Sequence, residues 1–253
     1  METSKVVMEI EKPVASIFLN NPRRLNAITP GMVEEILHAV RDLEENPGIR
    51  VVVLRGKGGN FSAGADLSEL EKFGFNEALK FHRNMNEIIY LMSRSSKIFI
   101  AAFEGYALGG GFELSLSADM RISTRNAVLG QPEINIGINA GAGGNAILPR
   151  IVGKGNAMYM ALSGEKMSAQ RALDLGIVQK IVEEGKLEEG IRELCDKIIS
   201  HPCVSIQLSK VAINASQESS PQDSLNVEAL VFSILNGNEE VKEKIRGFLS
   251  KKR

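Results

Sequence analysis

Two hydrophobic rhythms alternate along the first two thirds of this chain. Short apolar runs read as buried strands, and runs with apolar residues three and four apart read as amphipathic helices. Val14–Leu19 is set off by Pro13 and stopped by Asn20-Asn21-Pro22, as a strand should be. Thr29-Pro30 then supplies an N-cap and a proline at the first helical position, and Val33, Ile36, Leu37 and Val40 form the apolar stripe of the helix that follows. Asn46-Pro47-Gly48 ends it, and the wholly apolar Val51–Leu54 predicts a strand covered on both faces. Phe81, Met85, Ile88, Ile89 and Met92 mark a second helix, Ile98–Phe103 a second buried strand and Met120–Ser123 another. Strands alternating with helices predict an α/β fold.

The last quarter carries helical periodicity alone, with no strand signal after about Val182. Leu187, Ile191, Leu194, Cys195 and Ile198 mark one helix, and Ser220-Pro221 opens a second that carries Leu225 and Phe232. Asn238 opens a third, with Val241, Ile245, Phe248 and Leu249 in its stripe. The chain therefore divides into an α/β core, residues 1–190, and a helical appendage, residues 191–253. The stripes of that appendage must be buried against the core or against another subunit.

Composition narrows the function classes. In 253 residues, a formal net charge of -1 argues against binding nucleic acid through bulk positive charge. Two cysteines make no disulfide scaffold and fit a reducing, cytoplasmic setting. Cys195 falls on a helical stripe and reads as a buried thiol. The apolar run at Ile98–Phe103 is far too short to span a bilayer, and the N-terminal residues lack the features of a signal or transit peptide. His38, His82 and His201 have no metal-like spacing and read as surface or helix-face residues.

Three turns carry candidate chemistry. Gly105-Tyr-Ala-Leu-Gly-Gly-Gly-Phe-Glu113 brings glycines to the start of a predicted helix at 112–117. Unpaired amides and the positive dipole end sit there. Glu113 lies three residues after Gly110, one turn up on the same face. Asn60-Phe-Ser-Ala-Gly-Ala-Asp66 also follows an apolar strand and can supply a second amide donor to an oxyanion hole. Gly130-Gln-Pro-Glu133, with Gly141-Ala-Gly-Gly144 beyond it, brings a second carboxylate. Each turn alone also fits a plain surface connection. Together they suggest amides that hold an oxyanion while two acids manage a water molecule, because close carboxylates resist simultaneous ionisation. Dinucleotide, phosphate-loop and nucleophile-elbow patterns all fail on the positions of their glycines.

These residues, in this order, resemble the crotonase superfamily, and within it most closely the enoyl-CoA hydratases. Phe61-Ser-Ala-Gly-Ala-Asp-Leu67, the Gly105–Glu113 segment, Gln131-Pro-Glu133 and Gly141–Gly144 carry the resemblance, which runs from about residue 5 to the end. It implies a crotonase-like spiral of ββα units and a C-terminal helical region that forms homotrimers, often paired into hexamers. It further implies an acyl-CoA thioester substrate whose carbonyl oxygen binds the amides of Ala65 and Gly110, with Glu113 and Glu133 as the catalytic pair. Arg23, Leu25, Ala27, Ala63, Asp66, Leu67, Ser68, Gly109 and Gly141 are implied as substrate-binding positions. Coenzyme A is part of the substrate, and no metal or redox cofactor is implied. Two acids favour hydration of a 2-enoyl-CoA to a 3-hydroxyacyl-CoA over Δ3,Δ2-isomerisation, which needs one. Ala140, Asn145 and Glu243-Lys244 depart from the family's usual residues. Phe73 and Phe75 fall in a stretch expected to shape the acyl pocket. An RNA-binding role, known for some relatives, would need a basic helix, and the candidate at 33–45 is acidic.

Overall fold

A computed structural model describes residues 4–250. The strands are β1 (Val6–Glu11), β2 (Val14–Leu19), β3 (Val51–Gly56), β4 (Ile98–Phe103), β5 (Tyr106–Leu108), β6 (Met120–Thr124), β7 (Val128–Gly130), β8 (Lys166–Ser168) and β9 (Lys180–Val182). The helices are α1 (Pro30–Glu44), α2 (Leu67–Leu70), α3 (Phe75–Arg94), α4 (Gly110–Leu116), α5 (Leu148–Ser163), α6 (Ala169–Asp174), α7 (Leu187–Ile199), α8 (Cys203–Glu218), α9 (Pro221–Gly237) and α10 (Glu239–Ser250). Short 3-10 turns cover Pro22–Arg24 and Pro132–Ile136. The chain forms two compact units, Met1–Glu193 and Leu194–Arg253, divided within α7.

In the first unit a six-stranded sheet runs in the order β1-β2-β3-β4-β6-β9, and a smaller sheet runs β5-β7-β8. The β1–β2 pair is antiparallel, and every later pair of the large sheet is parallel. Parallel strands covered on both faces read as unbroken apolar runs, and all six residues of β4 are buried. Two strands of the large sheet are each followed by a short strand of the small sheet, β4 by β5 and β6 by β7, and β3 is followed by the 60–66 turn, which touches the small sheet through a single Ser62–Ala107 bridge. That repeat is the ββα arrangement that the resemblance implies.

Local chemistry accounts for the element boundaries. Thr29 Oγ1 accepts the Met32 N–H at 3.2 Å, so α1 begins where the Thr-Pro signal places it. Its inward face, including Val33, Ile36, Leu37 and Val40, is buried, and α1 packs on α3, whose Phe81, Met85, Ile88 and Met92 are buried too. Phe61 and Phe103 meet edge-on with ring centroids 5.1 Å apart in the same core. In the second unit α8 packs on α9 and α9 on α10. Ser220 caps α9 by accepting the Asp223 N–H at 3.2 Å. Leu225, Phe232, Ile245, Phe248 and Leu249 stay exposed.

Candidate active site

Sheet register brings the three turns together. In the small sheet Leu108 of β5 pairs with Gly130 of β7, and the Gly109 N–H donates to Gly130 O at 3.0 Å. The chain leaving β5 enters α4 with Glu113, while the chain leaving β7 enters the Pro132–Ile136 turn with Glu133. Both carboxylates thus leave the same end of one strand pair. Gly109 makes the corner at φ 50°, a conformation that favours glycine. A Cβ there would also stand 3.3 Å from Glu133 Oε1.

The 60–66 turn is tied to the same corner. The Ser62 N–H donates to Tyr106 O at 2.8 Å and the Leu108 N–H to Ser62 O at 2.9 Å, which fastens the turn alongside β5. Ser62 Oγ donates to Asn26 O at 2.8 Å, and the Ala63 N–H to Leu25 O at 2.9 Å. The link between Ile28 and Ala65 uses the Ile28 and Asp66 N–H groups, so it leaves the Ala65 N–H outside that pairing. Gly110 is the first residue of α4, where an amide has no intrahelical acceptor. The two amides lie side by side: a Cβ on Gly110 would stand 3.6 Å from Ala65 N, and one on Gly64, at φ 102°, would stand 3.5 Å from Gly110 N.

These groups open into one cavity of about 580 Å³, a size suited to a small-molecule substrate. Ala63, Ala65, Leu67, Gly109, Gly110, Glu113, Glu133 and Gly141 all line it. Arg23, Leu25, Ala27, Asp66 and Ser68 stand outside the lining. Asp66 is instead the N-cap of α2, accepting from the Ser68 N–H at 3.0 Å and pairing with Arg24 at 2.7 Å. Although buried, the Asp66 carboxyl is held below its usual range by Ser68 and Arg24. Arg24 lies within the Arg23–Ala27 segment that the resemblance places along the coenzyme, but its pairing with Asp66 had no signal in the sequence. Phe73 lines the cavity, whereas Phe75 is 81% exposed. His82 lines it as well: it holds the helix-face position expected of it, on α3, but that face borders the cavity rather than the outer surface. It lies one position beyond Phe81 on α3, and its ring fills the space a Gly141 side chain would need, 2.6 Å from His82 Cε1. Among the described residues no group of three His, Cys, Asp or Glu side chains is placed to hold a metal ion.

The two carboxylates occupy different environments. Glu113 is 3% exposed, and its Oε1 accepts the N–H groups of Ala142 at 2.7 Å and Gly144 at 3.0 Å. Burial pushes its carboxyl up, and those amides pull it back toward the ionised form. Both Glu133 carboxyl oxygens are buried with no hydrogen-bond partner among the described residues. Burial, with the Glu113 charge adding to it, pushes the Glu133 carboxyl up to about 7. Two main-chain amides thus favour the ionised form of Glu113 against its burial, while Glu133 lacks that support and is divided between its protonated and ionised forms near neutral pH.

The chain matches the family model described as enoyl-CoA hydratase/isomerase over residues 9–253. The chain belongs to the enoyl-CoA hydratase/isomerase family, within the crotonase superfamily. It is 35% identical to the short-chain-enoyl-CoA hydratase of Clostridium acetobutylicum, covering 100% of this chain and 97% of that one. It is 31% identical to the crotonyl-CoA hydratase of Syntrophomonas wolfei, covering 100% and 98%. The crystal structure of enoyl-CoA hydratase from Thermoplasma volcanium superposes with a TM-score of 0.91 at 41% identity, covering 98% of this chain and 97% of that one. A structure from Geobacillus kaustophilus gives 0.93 at 34%, covering 99% and 97%. The family member described here is accordingly an enzyme of the enoyl-CoA hydratase type. Among the described residues no helix is long and apolar enough to cross a membrane.

Proposed function

We propose that this enzyme adds water across the C2–C3 double bond of a 2-enoyl-CoA to give a 3-hydroxyacyl-CoA. The observation that carries the reading is the asymmetric acid pair, Glu113 cradled by two amides and Glu133 unpartnered with its carboxyl near 7, lining one cavity. The Ala65 and Gly110 amides receive the thioester oxygen, drawing electron density from C3 and stabilising the enolate-like transition state. Glu113 takes a proton from water as its oxygen bonds to C3. Glu133 gives its proton to C2, and the thioester carbonyl re-forms. Ala63, Leu67, Gly109 and Gly141 wall the bound thioester. Arg23, Leu25, Ala27, Asp66 and Ser68, on segments tied to the 60–66 turn, face the coenzyme portion. This chemistry requires no metal or redox cofactor. The exposed apolar residues of α9 and α10 support assembly as a homotrimer or hexamer, and the residue composition supports a cytoplasmic enzyme with neither nucleic acid nor membrane as partner.

The test is loss of conjugated-thioester absorbance with crotonyl-CoA and longer enoyl-CoAs, with product analysis in 18O-labelled water. Hydration places one solvent oxygen at C3. A Δ3,Δ2-enoyl-CoA isomerase would give a product without that oxygen, and no turnover of any chain length would end the hydratase reading.

A further inference from the structure

Glu133 stands between two cavities. It and Asn139 line the large cavity described above and also a smaller one of about 290 Å³ on the other side. The smaller cavity is walled by Gln131, Asn145, Ala157 and Ala161, and it reaches the surface at the exposed Met158 and Leu162. Gln131 is 1% exposed, and neither its Oε1 nor its Nε2 has a partner among the described residues. Both Glu133 oxygens share that condition. Buried polar atoms demand hydrogen bonds, and among the described residues no other residue supplies one to these four. Asn139 and Asn145, each amide donating to Ala140 O at 3.1 Å, and the Lys154 amine add to the polar part of the lining, and Ile134, Pro149, Ala157 and Ala161 make the rest of it apolar.

We propose that this smaller cavity is the route by which water and protons reach Glu133 while an acyl-CoA fills the larger one. The inference rests on the hydratase reading. Hydration consumes a water in every turnover, and a thioester seated on the Ala65 and Gly110 amides occupies the open side of the site. A cavity of about 290 Å³ bordering Glu133 has room for several waters. Water that reaches Gln131 and Glu133 as these side chains move pairs with their polar atoms, whereas an apolar acyl tail in the same space would leave them unpaired. Proton balance closes through the same path. After each addition Glu133 has given a proton to C2 and Glu113 has gained one from water. The pair resets when Glu113 returns its proton to solvent and Glu133 takes one from the waters at its back.

Two changes test this on the intact enzyme. Gln131→Met removes both polar atoms at similar size, and Ala161→Leu fills the cavity from α5 without touching Gln131. Three quantities are measured: kcat on crotonyl-CoA, Kd for the unreactive butyryl-CoA, and the rate at which 18O from solvent enters C3 of 3-hydroxybutyryl-CoA at equilibrium. The expected result is a fall of about tenfold or more in kcat and in 18O entry for each variant, with Kd within about twofold of wild type. A purely architectural role would weaken binding in step with turnover, and that outcome overturns the proposal. So does a kcat and 18O entry within twofold of wild type in Ala161→Leu, whether or not Gln131→Met folds. A changed chain-length preference with normal 18O entry would make the cavity an acyl subsite and equally overturn it. A wild type that binds butyryl-CoA yet hydrates no enoyl-CoA ends the parent reading, a failure visible before any variant is made.

Discussion

Replacing Glu133 with glutamine should stabilise the fold while it destroys activity, and the two effects should separate with pH. The Glu133 carboxyl moves from an ordinary 4.5 to about 7, chiefly through burial. At 1.36 kcal/mol per pH unit that is about 3.4 kcal/mol against the ionised form, and residual solvent contact reduces it to roughly 2–3 kcal/mol. The direction follows from proton counting. Between 4.5 and 7 the folded protein holds a proton that the unfolded chain has released, so the stability is fully present below 4.5 and is lost as pH rises through about 7. Glutamine resembles the protonated acid in shape and never ionises. Glu133→Gln should therefore match wild type near pH 5 and exceed it at pH 8.5, by about 4–12 °C in Tm for a chain of this size. Thermal melts at both pH values, at fixed protein concentration, make the measurement. Hydration by the variant should fall at least ~100-fold at either pH. Equal Tm differences at the two pH values, or a variant less stable than wild type at pH 8.5, would refute the reasoning.

Other consequences follow from the same geometry. Gly110→Pro removes one amide donor at the first helical position, so kcat should drop by about 10²–10³, roughly 2.7–4 kcal/mol, and because a proline there disfavours the φ 50° of Gly109 the variant's Tm is measured alongside; a folded variant of wild-type rate would remove Gly110 from the oxyanion hole. Because Glu133 must carry its proton to C2, kcat/KM should decline as pH rises above about 7, and a profile flat to pH 9 would reassign the acid. Asp66→Ala deletes the α2 cap and the Arg24 pair, which should lower stability by about 1 kcal/mol and raise KM more than it lowers kcat. Equal KM values in denaturation-corrected assays would detach that segment from substrate binding.

What the sequence made legible follows how local each signal is. Ile98–Phe103 is a strand at the predicted residues because six apolar residues in a row need cover on both faces, and neighbours in a parallel sheet provide it. Thr29-Pro30 placed the start of α1 because capping is a contact within one turn. The strands β5, β7 and β8 escaped notice. Each has three residues, too few for a period, and their pairing partners lie far along the chain. Helix α4 starts at Gly110 rather than Phe112, since glycine's low propensity hides a helix whose first turn must stay open for an amide. Glu113 and Glu133 were legible as a pair of unequal acids through the glycines around them, but which of the two lacks main-chain donors was not. The difference arises from Ala142 and Gly144, about thirty residues beyond Glu113, donating to one acid and leaving the other bare.

His82 shows the same limit from the other direction. Its neighbour Phe81 belongs to the apolar stripe of α3, and one helical step of about 100° ordinarily carries the next residue toward solvent. Here solvent on that side is the large cavity, bounded by the Gly141 loop, so the helix has a polar edge that faces a cavity rather than bulk water. Periodicity identifies which residues leave the core but not what they meet. For a chain whose loops border a cavity beside its helices, the residue at the rim of an apolar stripe is therefore a place to look for chemistry. A lone histidine there carries a different meaning from one at the centre of an exposed face.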